Sequence, residues 1–157
     1  MKPKSQLSSK SFKNEVKVLS KIRHRNIVKL HGFCLHKQCM FLVYEYMERG
    51  SLFNLLRNNN EATQFGWFKR ISIIKDIAHA LSYMHHDCNR PIVHRDVTSS
   101  NILLDLEMKA SLSDFGIARL LYPDSSNRTL PAGTFGYLAP GKYLSLYFFN
   151  NRLLLIF

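Results

Sequence analysis

The chain has 157 residues, of which 46% are hydrophobic and 21% charged, a composition that fits one globular domain and excludes a mostly disordered chain. Its 22 lysines and arginines outnumber 11 aspartates and glutamates, and the formal charge of +11 attracts phosphates, nucleic acid or anionic membranes non-specifically. Because the basic residues are spread along the chain, we interpret them as a solvated basic surface and expect no specific nucleic-acid partner.

The first predicted element is a helix near the start of the chain, for which Ser11 can serve as the N-cap. Its apolar residues recur at helical spacing: Phe12, Val16 and Leu19. Two β-prone runs follow, at 27–35 and 40–47, and a short polar segment connects them. This pattern predicts an antiparallel hairpin.

Two further helices are predicted in the middle of the chain. Ser51 begins a short one, which ends in the asparagine run 58–60. Between Trp67 and about His86 the pattern predicts the longest helix, with one apolar face: Ile71, Ile74, Ala78, Leu81 and His85. After Pro91 the apolar runs are short, which predicts short strands that support functional loops.

The cysteines and the apolar runs bear on the cellular compartment of the chain and on whether it spans a membrane. Cys34, Cys39 and Cys88 are odd in number and lack paired spacing, which indicates free thiols in a reducing, cytoplasmic compartment. We expect no secretory signal, since no apolar stretch follows the charged first residues. No run of about eighteen apolar residues is present, so we expect no membrane span in this chain.

The segment His94-Arg95-Asp96 gives the clearest chemical signal. Asn101 follows five residues after the aspartate, and Asp114-Phe115-Gly116 begins thirteen residues after Asn101. This set of residues, in this order and spacing, resembles the signature of the eukaryotic protein kinases. Either aspartate alone would be interpreted as a turn residue beside a short strand, but the complete set makes coincidence negligible.

The resemblance implies phosphoryl transfer from ATP, with Mg²⁺ as the metal. In that scheme Asp96 accepts the proton of the substrate hydroxyl, while Asn101 and Asp114 bind magnesium. Thr134, in the segment that resembles the family's substrate-docking loop, is a candidate partner of Asp96. Arg95 is expected to pair with a phosphate on the loop after Tyr122. Three hydroxyls on that loop are candidate acceptors of this phosphate: Ser125, Ser126 and Thr129.

The same resemblance implies a nucleotide site. Glu15, on the first helix, corresponds to the carboxylate that pairs with an ATP-binding lysine in the family. Leu103 is assigned to the nucleotide site as well. Four residues resemble the hinge, whose backbone groups would meet the adenine ring: Tyr44, Glu45, Tyr46 and Met47. The run that contains them, with the Gly-Ser-Leu after it, is similar to plant leucine-rich-repeat receptor-like kinases.

The fold implied by the resemblance is of the α+β class: a truncated two-lobed protein-kinase-like fold. It would comprise a remnant of the β-rich small lobe and the first half of the mainly helical large lobe. We expect residues 1–47 to form the partial small lobe and 48–140 the first half of the large lobe. Residues 141–157 are an atypical apolar tail that matches nothing in the family and resembles a read-through end.

No glycine-rich phosphate loop and no strand lysine precede Glu15 in the sequence. Lys2, Lys4 and Lys10 lie nearby but lack the strand context, so the sequence offers Glu15 no evident partner. We therefore expect this chain to be weakly active or inactive, although its family is that of ATP-dependent serine/threonine protein kinases.

The implied partners are proteins with serine or threonine hydroxyls as substrates, and other receptor-like kinases. Members of the family are cytoplasmic domains of plasma-membrane receptors, so we expect a cytoplasmic location. Two alternatives remain open. One is a non-catalytic fragment that binds the partners of a full-length kinase, and the other is a gene-model product that does not fold stably.

Overall fold

The computed structural model describes residues 9–36, 39–58, 62, 63, 65–121 and 134. These residues form helices and small antiparallel sheets, which confirms the α+β class. The elements in chain order are α1 (Ser9–Leu19), β1 (Leu30–Leu35), β2 (Met40–Tyr44), β3 (Gly50–Ser51), α2 (Leu52–Arg57), α3 (Trp67–Ser82) with a π-helical turn (Tyr83–Asp87), β4 (Ile92–Val93), β5 (Ile102–Leu104), β6 (Ala110–Leu112) and β7 (Arg119–Leu120).

Helix α1 contains Ser11 within its first turns, so the predicted N-cap at this residue is wrong. Ser11 instead lies close to the segment after β6. A Cβ added at Gly116 would lie 2.1 Å from Ser11 Oγ. The same packing buries Glu15, which is 3% exposed, while Val16, an expected core position, is only half-buried.

The predicted hairpin is present as β1 and β2, which pair antiparallel. Leu35 lies opposite Met40 at the turn, and the register shifts between Leu30 and Gly32 at the other end. Several large apolar side chains of this hairpin are 41–53% exposed: Phe33, Leu35, Met40, Phe41 and Val43. Only part of the hairpin therefore packs on the core of the described residues.

Helix α2 begins where the sequence predicts. Ser51 is its N-cap, because the Asn54 N–H donates to Ser51 Oγ at 3.3 Å. The Phe53 N–H then donates to the carbonyl of Ser99 at 2.9 Å. Helix α2 is thereby attached to the loop between β4 and β5, where the candidate catalytic residues lie.

Helix α3 has the predicted length, but of its predicted apolar residues only Leu81 is buried. The helix and its π-helical turn bury Ile73, Ile77, Ala80, Leu81 and Met84. Ile74, expected in the core, is 43% exposed. The helix carries apolar residues on two neighbouring faces, so spacing alone did not determine which one packs inward.

The core is centred on the β5–β6 hairpin, in which Ile102 lies opposite Leu112. Leu112 is fully buried, and its N–H donates to the Asn26 carbonyl at 2.9 Å. The Ala110 N–H donates to Asp76 Oδ2 at 2.9 Å, which connects β6 to α3. In the part of the chain that the structure describes, no helix has the length and apolar character needed to cross a membrane. The expected tail, 141–157, lies outside the described residues.

Candidate active site

Asp96 lies in the loop between β4 and β5, where two residues hold its carboxylate from opposite sides. Asn101 Nδ2 donates to Asp96 Oδ2 and to the Asp96 carbonyl, both at 2.9 Å. Thr134 donates its N–H to Asp96 Oδ1 at 3.1 Å and its hydroxyl to the same oxygen at 2.6 Å. The structure therefore brings together three of the predicted site residues.

The β5–β6 hairpin places Asp114 next to this group. Asn101 immediately precedes β5, and its carbonyl accepts hydrogen bonds from the N–H of Ser113 at 2.8 Å and from its hydroxyl at 2.9 Å. Asp114 is the next residue after Ser113. The two candidate metal ligands, Asn101 and Asp114, thus project from neighbouring positions at the same end of one hairpin.

Two residues of the site have a left-handed backbone, which costs about 1–3 kcal/mol for a residue with a side chain. The φ angle is 71° at Arg95 and 64° at Asp114. Hydrogen bonds support both conformations. Arg95 Nε donates to the carbonyl of Ile117 at 2.6 Å, and the Gly116 N–H donates to Asp114 Oδ1 at 3.3 Å.

His94 is a buried, neutral ring that connects the segment of Asp96 to the segment of Asp114. The Asp96 N–H donates to His94 Nδ1 at 3.2 Å, so Nδ1 is an acceptor and Nε2 carries the proton. His94 Nε2 can then donate to the carbonyl of Ser113, which lies 3.0 Å away. The ring also meets that of Phe115 edge to face, with centroids 4.7 Å apart. Burial lowers the pKa of His94 below its ordinary value.

We expect the chain to lose stability as the pH falls below about 6.5, the ordinary pKa of histidine. Below that pH the unfolded chain binds a proton at His94, while the folded chain, with its lowered pKa, still resists protonation. Protonation would also place an Nδ1–H against the Asp96 N–H. Urea unfolding at several pH values measures the effect. The variant His94→Gln should show a shallower pH dependence, and exposed His86→Gln an unchanged one; equal slopes in all three proteins would contradict the prediction.

Glu15 has partners in the structure, although the sequence offers none. It accepts a hydrogen bond from the Tyr44 hydroxyl and one from the Phe115 N–H, the latter at 3.4 Å. Burial, followed by the contact with Glu15, raises the pKa of Tyr44. Glu15 therefore joins α1 to the end of β2 and to the residue after Asp114.

Asn14 and Ser113 are site residues that sequence reasoning missed. Asn14 Nδ2 donates to three carbonyls of the segment after Asp114: those of Phe115 at 3.0 Å, Gly116 at 3.2 Å and Ala118 at 2.8 Å. These contacts span about a hundred residues of sequence, and no local pattern signals them. Ser113 could have been found, since hairpin pairing places it opposite Asn101.

Arg95 lies near a second guanidinium, that of Arg119 in β7. Burial lowers the pKa of Arg95, and the positive charge of Arg119 lowers it further. The two side chains make this side of the site electropositive. The candidate phosphate acceptors on the following loop, Ser125, Ser126 and Thr129, lie outside the described residues.

The first expected hinge residue, Tyr44, is the last residue of β2, and the other three follow it. Only some of their backbone groups remain available. The Glu45 N–H donates to the Lys29 carbonyl at 3.0 Å, and the Met47 carbonyl accepts from the Gly50 N–H at 3.1 Å. The Glu45 carbonyl and the Met47 N–H have no backbone partner among the described residues. Tyr46 is 80% exposed, and Leu103 is a half-buried residue of β5.

The chain is similar to known proteins along most of its length. A family model described as "Protein kinase domain" matches residues 1–143. A probable leucine-rich repeat receptor-like protein kinase of Arabidopsis thaliana is 61% identical over 129 residues, which are 82% of this chain and 12% of that protein. The MDIS1-interacting receptor like kinase 2 of the same plant is 58% identical over 133 residues, 85% of this chain and 13% of that protein.

A third relative comes from rice. The LRR receptor-like serine/threonine-protein kinase SIK1 of Oryza sativa subsp. japonica is 46% identical over 134 residues, 85% of this chain and 14% of that protein. The chain thus spans 12–14% of the length of these three relatives.

Proposed function

Since the chain belongs to the protein kinase family, we propose that the site around Asp96 transfers the γ-phosphoryl group of ATP to serine or threonine hydroxyls of proteins. One observation carries the proposal: a continuous set of hydrogen bonds runs from Thr134 through Asp96 and Asn101 to Ser113, the residue before Asp114. Phosphoryl transfer needs a base for the acceptor hydroxyl beside ligands for a metal, and this set joins both.

Asp96 Oδ1 is the candidate base. A hydroxyl already donates to this oxygen at 2.6 Å, that of Thr134, so a substrate hydroxyl in a similar position could give up its proton there. Asn101 Nδ2 positions the other carboxylate oxygen. Arg95 is proposed as the group that pairs with a phosphate on the following loop.

The side chains available for Mg²⁺ are the amide of Asn101 and the carboxylate of Asp114. Asn101 uses Nδ2 on Asp96, so Oδ1 is the atom that it offers to a metal. Among the described residues no three His, Cys, Asp or Glu side chains are grouped as metal ligands. One carboxylate and one amide nevertheless fit Mg²⁺, which takes few protein ligands and completes its shell with phosphate oxygens and water. Bound there, the metal would neutralise charge on the phosphates.

The adenine is proposed to meet the Glu45 carbonyl and the Met47 N–H, with Leu103 and Tyr44 beside it. The support is that these two backbone groups have no other backbone partner among the described residues. We also propose a cytoplasmic location, which agrees with cysteines that form no disulfide.

The test is transfer of radiolabelled phosphate from ATP to a protein substrate. The chain is kept in excess over the labelled ATP, so that a single slow turnover is visible. Label should appear on serine or threonine and should be lost when Mg²⁺ is chelated. Label that persists without Mg²⁺, or the absence of both Mg²⁺-dependent transfer and Mg²⁺-dependent ATP binding, would contradict the proposal.

A second candidate function is non-catalytic binding to a protein partner, such as another receptor-like kinase. The observation that favours it is the exposed apolar surface of the β1–β2 hairpin, where Phe33 and Phe41 are 52% and 53% exposed. Sedimentation of the chain with and without a receptor-like kinase domain distinguishes this function from catalysis. A chain that remains monomeric and binds no such domain does not have it.

A further inference from the structure

The turn of the β1–β2 hairpin brings two thiols into contact. The Sγ atoms of Cys34 and Cys39 lie 3.9 Å apart. Cys34 is half-buried and Cys39 is exposed, and neither belongs to a disulfide. The sequence pattern indicated thiols without paired spacing, but two of the three cysteines are in fact neighbours in space.

The strand register explains the contact. Residues directly opposite each other in an antiparallel pair project on the same face, and Cys34 lies opposite Phe41. Cys39 precedes Phe41 by two residues, so its side chain is on that face as well. The His36 N–H donates to the Cys39 carbonyl at 3.0 Å, which holds the backbone of the turn. The two cysteines are therefore diagonal neighbours whose side chains converge.

We propose that Cys34 and Cys39 form a reversible disulfide when the chain meets a hydroperoxide, so that the hairpin is a redox-sensitive modification site. A disulfide has an S–S length of about 2.05 Å, so the sulfurs must approach by roughly 2 Å from their contact of 3.9 Å. Side-chain rotation at the turn can provide this movement. The inference goes beyond the proposed kinase activity and does not depend on it.

The chemistry proceeds in two balanced steps. The thiol of Cys39, the more exposed of the two, reacts with the hydroperoxide ROOH to give a sulfenic acid and the alcohol ROH. The sulfur of Cys34 then attacks the Cys39 sulfur, forming the S–S bond and releasing water, which contains the sulfenic oxygen and the Cys34 proton. The hydrogen bond with Cys39 raises the pKa of the Cys34 thiol, in agreement with its assignment as the second, resolving thiol.

The disulfide would close the hairpin at the end opposite the hinge. Leu35 and Met40 form the pair nearest the turn, whereas Tyr44 pairs with Leu30 at the other end. A cross-link between Cys34 and Cys39 would therefore hold the turn closed without involving the hydrogen bonds of Tyr44 or Glu45. Reversible disulfides of this kind are typical of redox sensing in reducing compartments.

The sequence allows a direct test. Trypsin cleaves after Lys29, Lys37 and Arg49, so Cys34 and Cys39 fall in separate peptides, 30–37 and 38–49. The reduced chain is treated with dilute hydrogen peroxide, its remaining thiols are alkylated, and it is denatured and digested without reduction. Mass spectrometry should find the two peptides joined, with the linked mass lower by two hydrogen atoms than the sum of the free thiol peptides. Dithiothreitol should separate them.

The variants Cys34→Ser and Cys39→Ser should each yield no linked pair, while Cys88→Ser, which changes the half-buried third cysteine, should still form it. The yield should not change on tenfold dilution, because the cross-link is within one chain. Separately alkylated peptides after peroxide treatment would overturn the proposal. A cross-link that includes Cys88, or one that disappears on dilution, would overturn it as well.

Discussion

The variant Phe115→Ala is expected to lower the free energy of unfolding by about 3–5 kcal/mol, the usual cost of removing a buried aromatic ring. Phe115 is fully buried. Its ring packs edge to face on His94, and its backbone donates to Glu15 and accepts from Asn14. Truncation to alanine would leave a cavity in contact with both the loop between β4 and β5 and α1. Because small domains are stable by only about 5–15 kcal/mol, this loss is large.

Urea unfolding, followed by circular dichroism, measures the effect, and Phe68→Ala is the matched control. Phe68 is a phenylalanine of α3 that is 88% exposed, so its truncation should change stability by less than about 0.5 kcal/mol. The same experiment tests the alternative that the chain does not fold stably. A wild-type chain without a cooperative transition would favour that alternative, as would equal midpoints for the two variants.

The sequence was sufficient for those parts of the fold that depend on local patterns. The hairpin, the N-cap at Ser51 and the length of α3 follow from alternation, capping chemistry and helical spacing, which act within a few residues. The relation of Asn101 to Asp114 is also accessible, since a short turn between β5 and β6 forces the two ends of the hairpin together.

Other features depend on contacts between distant segments, and local patterns could not supply them. Ser11 has the side chain of an N-cap, but it lies within α1 and close to Gly116, about a hundred residues away. Ile74 fits one apolar face of α3, yet β6 packs on this helix and the buried residues include Ile73 and Ile77 instead. The partners of Glu15 come from β2 and from the segment after β6, which lie 29 and 100 residues away.

These long-range contacts converge on the residues around Asp114. Asn14 and Glu15 of α1 bind its neighbours, His94 binds the carbonyl of Ser113, and Ser113 binds Asn101. The left-handed backbone of Asp114 is thus held by groups from two separate segments, α1 and the loop between β4 and β5. Because Asp114, the candidate metal ligand, has a strained backbone, the surrounding structure must compensate that strain.

The variant Asp96→Asn is expected to reduce phosphoryl transfer by about 10²–10⁴-fold, the range associated with loss of a general base. The change keeps the size of the side chain but removes the carboxylate charge and replaces one oxygen by an amide. Both carboxylate oxygens now accept hydrogen bonds, from Asn101 on one side and from Thr134 on the other. An amide NH₂ would therefore face a donor in either orientation. Incorporation of radiolabelled phosphate into the protein substrate measures the loss.

The matched control is Asp105→Asn, which makes the same chemical change outside the site. Asp105 Oδ1 accepts the Lys109 N–H at 2.9 Å in the turn between β5 and β6, and an amide oxygen can accept that bond equally well. Transfer by this variant should equal that of the unchanged chain. The urea midpoints of both variants show whether a lost activity comes with a lost fold. Transfer that survives in Asp96→Asn at the rate of the control would remove Asp96 from the role of base, and with it the central step of the proposed reaction.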